Sequence, residues 1–125
     1  MTDVAFRISS TVLGTPDPRA AADFYLGLLG WEVVHESDEW IAIKPPGGGH
    51  GLAFQLEELH ARPAWPAESG EQQMQMHLDI GVTDLEAGVA LAQRLGAAQA
   101  AYQPQDDVRV MLDPDGHPFC LFETA

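Results

Sequence analysis

Basic residues are scarce in this chain. Six Lys and Arg stand against nineteen Asp and Glu in 125 residues, a formal net charge of -13 with histidine neutral. Such a surface repels phosphate backbones and anionic lipid, which argues against nucleic-acid and membrane-surface roles; its simplest meaning is a solvated, soluble exterior. Cysteine is almost missing. Cys120 stands alone, so no internal disulfide can form, and the pattern suits a reducing cytoplasm. No apolar run approaches the roughly 20 residues that a membrane-spanning helix needs. The opening Met1-Thr2-Asp3 has no basic stretch leading into an apolar one, so a secretory signal is not expected. Low-complexity tracts are lacking too. What is there is a chain 46% hydrophobic, long enough to bury most of its unfolded surface as a single domain.

The dominant positive feature is an internal echo. Residues 10–17 (STVLGTPD) and 77–84 (HLDIGVTD) both alternate and both end in an aspartate that opens an Ala-rich helix. Each helix stops at a Leu-Gly pair, Leu29-Gly30 and Leu95-Gly96, and Phe54-Gln55-Leu56 is matched by Phe119-Cys120-Leu121. Two copies of one β-α-β-β-β unit result: unit one at about 5–57, a linker at 58–71 and unit two at about 72–124, within one domain spanning 1–125.

Local signals fill in the elements. A first strand is expected over 6–13, ended by Gly14-Thr15-Pro16-Asp17-Pro18, with Asp17 as helix N-cap and Pro18 at N1. Strands over 31–35 and 39–44 flank a turn at 36–38, and a Pro-Pro-Gly-Gly-Gly break precedes a strand over 51–57. That glycine run lacks the Lys-Ser/Thr pair and following helix of a phosphate loop. In unit two a period of two sets Met74, Met76, Leu78, Ile80 and Val82 on one face and Gln73, Gln75, His77 and Asp79 on the other. A second helix capped by Asp84, strands over 98–102, 108–112 and 119–123, and an Asp113-Pro114-Asp115-Gly116 turn with Gly116 at positive φ complete the set.

Equivalent positions of the two copies, Ser10 with His77 and Gln55 with Cys120, are expected to converge on one cavity. His77 reads as a cavity-lining hydrogen-bonder and candidate general base, or as a structural histidine bonded to Asp79 or Gln75. Cys120, in an apolar strand, reads first as an inert packing residue. Trp31 is most simply core, whereas Trp40 and Trp65 are suited to be walls of an apolar site. Arg62 is either an anchor for an anionic group or a solvated linker charge. His117 is expected to pin the turn that it follows.

Asp17, Phe24-Tyr25, Leu28-Leu29-Gly30-Trp31, His77, Asp84-Leu85 and the 113–118 turn (DPDGHP) carry a resemblance to the vicinal oxygen chelate superfamily. That superfamily includes glyoxalase I, bleomycin-resistance proteins, extradiol dioxygenases and fosfomycin-resistance enzymes; in detail the chain is similar to the small actinobacterial glyoxalase-like members. The resemblance implies an α+β fold of two tandem βαβββ units, their strands rolled into a cup-shaped mixed eight-stranded sheet with two outer helices, and a homodimer. In members that use a metal, four side chains on four strands hold it, and these positions map to Ser10, Gln55, His77 and Cys120. His77 is the one strong ligand of the four, so the set is incomplete for zinc or for a hard cation.

The expected function is therefore metal-independent binding or sequestration of an aromatic or hydrophobic small molecule, with no cofactor. Ser10, Trp40, Gln55, Arg62, Trp65, Gln75, His77, Asp79 and Cys120 are the candidate ligand-binding residues. The rival is a metal-dependent lyase, isomerase or dioxygenase that takes Zn²⁺, Ni²⁺, Fe²⁺ or Mn²⁺ through His77 with Gln55 and Cys120, or with Glu123, His35 or His50. A metal-free enzyme with His77 as its base is a third possibility.

Overall fold

Asp17 and Asp84 play the same part in the two halves of the chain. Each carboxylate accepts from the backbone N–H three residues on, Ala20 at 3.1 Å and Ala87 at 3.0 Å, satisfying a donor that a helix start leaves open. The helices they open are α1 (Pro18–Leu29) and α2 (Leu85–Leu95), and each closes on a left-handed glycine, Gly30 and Gly96. Around α1 lie β1 (Ser10–Thr15), β2 (Glu32–Glu36), β3 (Trp40–Lys44) and β4 (Gly51–Leu56). Around α2 lie β5 (Leu78–Val82), β6 (Ala98–Gln99), β7 (Val108–Leu112) and β8 (Pro118–Glu123). The fold is α+β, two tandem βαβββ units, as the repeat predicts. The computed structural model describes residues 3–124; Met1 and Thr2, on which part of the secretory-signal reading rests, lie outside them. Among the described residues no helix is long and apolar enough to cross a membrane.

The eight strands form two mixed four-stranded sheets, in the orders β1-β4-β3-β2 and β5-β8-β7-β6. In each, the first strand runs parallel to the last and the remaining pairs are antiparallel. The chain divides into two compact units, one ending at His60 and the other beginning at Ala61. In the first, α1 packs on β3 and β4, with Tyr25 stacked on Phe54 at 5.5 Å between ring centroids. In the second, Met111, Phe119 and Leu121 share one face of the sheet and are buried, as is Ala92 of α2. Gly88 permits the close approach of α2 to β5, since a Cβ there would come within 2.8 Å of Val82 Cγ2.

The hydrogen-bond registers refine the repeat. Thr15 pairs with Leu56 and Val82 with Glu123, while Val12 pairs with Ala53 and Asp79 with Cys120. Each second-unit residue lies 67 positions after its counterpart, so Cys120 corresponds to Ala53, and Gln55 to Phe122. The match of Gln55 with Cys120 is two residues out. Similar letters suggested it, but the ladder sets the equivalence, and a slip of two keeps the same face.

Three element boundaries also differ from expectation. The first strand begins at Ser10 rather than residue 6, because its partner β4 starts only at Gly51, after the glycine break. Phe6 and Ile8 ahead of it are exposed, so alternation without a partner strand does not make a strand. β5 begins at Leu78, which leaves Met76 exposed and puts Gln75 and His77 just ahead of the strand. Leu78 faces Phe119, and Pro118, next in line, has no N–H to extend the ladder. Finally, β6 stops at Gln99 instead of reaching residue 102. There the Gln103 side chain takes over: its amide donates to the carbonyls of Ala100 and Val110 and accepts from the Val110 N–H.

Candidate functional site

Three strands of the second sheet build the floor of a site. Asp79 of β5, Cys120 of β8 and Val110 of β7 form one cross-strand row, and Gly81, Phe122 and Val108 form the next row on the same face. Over Asp79, Cys120, Phe122 and the two valines opens a cavity of about 850 Å³, also lined by Trp65, His77 and the Asp106-Asp107 pair that precedes β7. That volume suits a small-molecule site.

The polar groups of the floor lie close to one another. His77 Nε2 lies 3.1 Å from Asp79 Oδ1. Cys120 is buried, 6% exposed. Burial pushes its thiol pKa up, and the negative charge of Asp79 and a hydrogen bond to that carboxylate push it further the same way. Cys120 is therefore a neutral thiol and not a ready nucleophile. His77 thus lies beside Asp79 and also lines the cavity. Trp65 stacks on the His77 imidazole, with centroids 4.9 Å apart and planes at 23°, and meets the Tyr102 ring edge-on at 5.4 Å.

Of the nine residues expected from sequence, Trp65, His77, Asp79 and Cys120 line this cavity. Gln75 is exposed and does not. Ser10, Trp40 and Gln55 belong to the first unit, where Ser10 faces Gly51 and the half-buried Trp40 pairs across the strands with Gln55. Trp31 is half-buried rather than core. Of the alternative ligands, Glu123 lines the cavity, His50 bonds Thr11 in the first unit, and His35 is exposed on β2.

Arg62 has a different task from either one expected. Its Nη1 donates to the Pro114 carbonyl at 2.8 Å, and its guanidinium lies over Gly116, where a Cβ would come within 3.0 Å of Cζ. Gly116 has a φ of 86°, which favours glycine. The turn is tied from within by Asp113, whose carboxylate accepts from the N–H groups of Asp115 and His117, both at 2.9 Å. His117 thus helps to pin the turn through its backbone. Arg62 clamps that turn from outside. Of the stretch read as linker, residues 58–60 fall in the first unit and the rest, from Ala61, in the second, where Ala64 is bridged to Gln73.

Sequence reasoning missed Phe122, Val108, Val110, Asp106 and Asp107. Phe122 was within reach, being two residues from Cys120 on the same strand and hence on its face. The valines needed the β7–β8 register, which no local signal carries.

Some members of the superfamily that the sequence resembles hold a metal, and one cluster here has the donors for it. His77, Asp79 and Cys120 offer a nitrogen, an oxygen and a sulfur within 4.8 Å of one another. All three are zinc ligand types, and three protein donors with one open position make a catalytic zinc site. Asp79, absent from the donor set expected from sequence, is part of this cluster. The set fits a borderline-soft divalent ion in its chemistry, provided that Cys120 loses its proton, as coordinated thiols do.

The sequence over residues 10–122 matches the family model of the glyoxalase-like domain. Similar folds include a glyoxalase/bleomycin resistance protein/dioxygenase family enzyme from Burkholderia phytofirmans, with a TM-score of 0.71 and 18% identity over 94% of this chain and 98% of that one. A glyoxalase-related enzyme from Fulvimarina pelagi gives 0.68 and 21%, over 94% and 88%. TnmS3, an antibiotic-binding protein from a Streptomyces species, gives 0.63 and 18% over the whole of both chains. At these identities the likeness speaks for the fold alone. No functionally curated protein matches the sequence. The chain belongs to the glyoxalase-like domain family.

Proposed function

We propose that this protein binds and sequesters an aromatic or hydrophobic small molecule, without a metal, in the cavity of the second unit. The observation that carries the reading is an aromatic wall beside a polar floor that is already satisfied. Trp65 is held by His77 and Tyr102, and the His77 imidazole and the buried Cys120 thiol lie against the Asp79 carboxylate. A flat ligand would stack on Trp65 and cover Phe122 and the valines, while the imidazole and carboxylate orient it by one or two hydrogen bonds. The antibiotic-binding description of TnmS3 supports this use of the fold. The proposal includes a cytoplasmic location and, by analogy with the family, a homodimer. Light scattering should give twice the 13.5 kDa chain mass; a clean monomer at micromolar concentration contradicts that part.

A second reading is favoured by the His77-Asp79-Cys120 donor set. It is a metal-dependent lyase, isomerase or dioxygenase, in which these three residues hold the ion. The metal would supply Lewis-acid polarisation of a ligand oxygen. Elemental analysis of protein purified without chelators, with calorimetric titration of planar aromatic compounds in EDTA, separates the two. Binding that survives EDTA is expected. Near-stoichiometric, tightly held metal that disappears in His77→Ala overturns metal independence.

A further inference from the structure

Resting on that binding reading, we propose that the second-unit cavity selects organic cations, namely flat aromatic molecules that carry a protonated amine. The ionised groups at the cavity are of one sign. Among the described residues Asp79, Asp106, Asp107 and Glu123 line it, and no Lys or Arg does. General acidity of the chain does not explain this, because the second unit has three arginines, Arg62, Arg94 and Arg109. All three lie off the cavity. Arg62 is spent on the Pro114 carbonyl. Arg109 sits on β7 itself, but its guanidinium donates to the backbone carbonyls of Asp106 and Val108 and lines a neighbouring groove with Gln93 and Gln99.

The four acids differ in what else they do. Asp79 is engaged by His77 and Cys120, and Glu123 accepts from the Leu85 N–H at the start of α2. A protonated His77 is compensated at Asp79 and does not reverse the sign. Asp106 and Asp107 are exposed side by side ahead of β7, so they supply the field at the rim. Trp65 and Phe122 line the same cavity, and the face of an aromatic ring attracts a cation as well as an apolar body. Low-dielectric walls focus a one-signed field into a cleft. An ammonium group thus gains at the rim while its aromatic body stacks on Trp65, and a carboxylate in the same place is repelled by the four carboxylates that line the cavity.

A matched set of probes tests this: 2-naphthylmethylamine, 2-naphthalenemethanol and 2-naphthoate share one ring system and differ in charge. Binding is read from the indole N–H signal of Trp65 in ¹⁵N-labelled protein, assigned through Trp65→Phe. The amine should bind at least about tenfold more tightly than the alcohol, with naphthoate weakest. That advantage should shrink on going from about 20 to about 300 mM salt. In the double variant Asp106→Asn/Asp107→Asn the ratio of amine to alcohol affinity, both measured on that protein, should fall to within about threefold. The backbone carbonyls that hold Arg109 are untouched by that change. An alcohol that binds as well as the amine, or an amine preference that survives the double variant, overturns the cation inference and leaves the binding reading standing. Failure of all three probes to move the Trp65 signal overturns both.

Discussion

Replacing Trp65 with Ala separates a ligand wall from a structural plug. The indole is half-buried, stacked on His77 and edge-on to Tyr102, and contributes surface to the cavity. A flat aromatic ligand laid on that surface removes roughly 60–80 Å² of apolar indole area from water. At about 25 cal/mol per Å² this is worth about 1.5–2 kcal/mol, or roughly a 10–30-fold rise in Kd when it is lost. The fold loses two ring contacts as well, each worth about 0.5–1.5 kcal/mol. The melting temperature should therefore drop by several degrees without the protein unfolding, because Trp65 precedes β5 and is not part of the β5–β8 sheet. Trp65→Phe keeps a ring for stacking and should recover most of the affinity. Calorimetric titration of 2-naphthalenemethanol against the three proteins, paired with thermal melts, reads both quantities. The reasoning is refuted if Trp65→Ala melts the fold while the surviving affinity stays at the wild-type value.

Most of the architecture was legible because its signals are local. Asp17 and Asp84 announce helix starts through short-range hydrogen bonds, Gly30 and Gly96 announce stops, and the 113–116 turn needs only its own residues. Errors arose where a partner decides. Residues 6–9 alternate like a strand, but the ladder with β4 begins at Ser10. Residues 100–102 lose their strand to the Gln103 amide, a side chain mimicking a backbone partner. The site was legible in part for the same reason. His77 and Asp79 alternate on one face, and Trp65 stood out as an aromatic with no local folding duty. The convergence of Asp79 with Cys120 is a matter of register between two strands some forty residues apart in the chain, and no local pattern encodes it. Arg62 misled because its partner, the Pro114 carbonyl, is backbone, which composition cannot reveal.

Arg62→Ala should cost about 1 kcal/mol of stability, the net worth of the lost hydrogen bond to Pro114, and should leave the affinity for 2-naphthoate unchanged; a selective loss of that anion would restore the anchor reading. His77→Ala should weaken 2-naphthalenemethanol more than naphthalene, since only the alcohol loses a hydrogen-bonding partner; equal losses would reduce His77 to a stacking support for Trp65. The Cys120 thiol makes a pH prediction whose sign follows from its surroundings. Burial, then the charge of Asp79, then the hydrogen bond to it raise its pKa in the folded protein. In the unfolded chain the thiol ionises at about pH 8.5. Between that value and the higher folded one, the native state keeps a proton that the unfolded state has lost. The stabilisation is thus complete below the unfolded pKa and is lost as pH rises through the folded one. Urea midpoints measured from about pH 7 to about pH 10 should fall more steeply in wild type than in Cys120→Ala, where only the other titrating groups contribute. Because Cys120 is the chain's one cysteine, iodoacetamide labelling of the native protein follows the same group, and it should be far slower at pH 8.5 than labelling in urea. Equal slopes in the two proteins, together with native labelling as fast as that of the unfolded chain, would show Cys120 to be an accessible, ordinary thiol and remove the neutral donor on which the satisfied floor of the cavity rests.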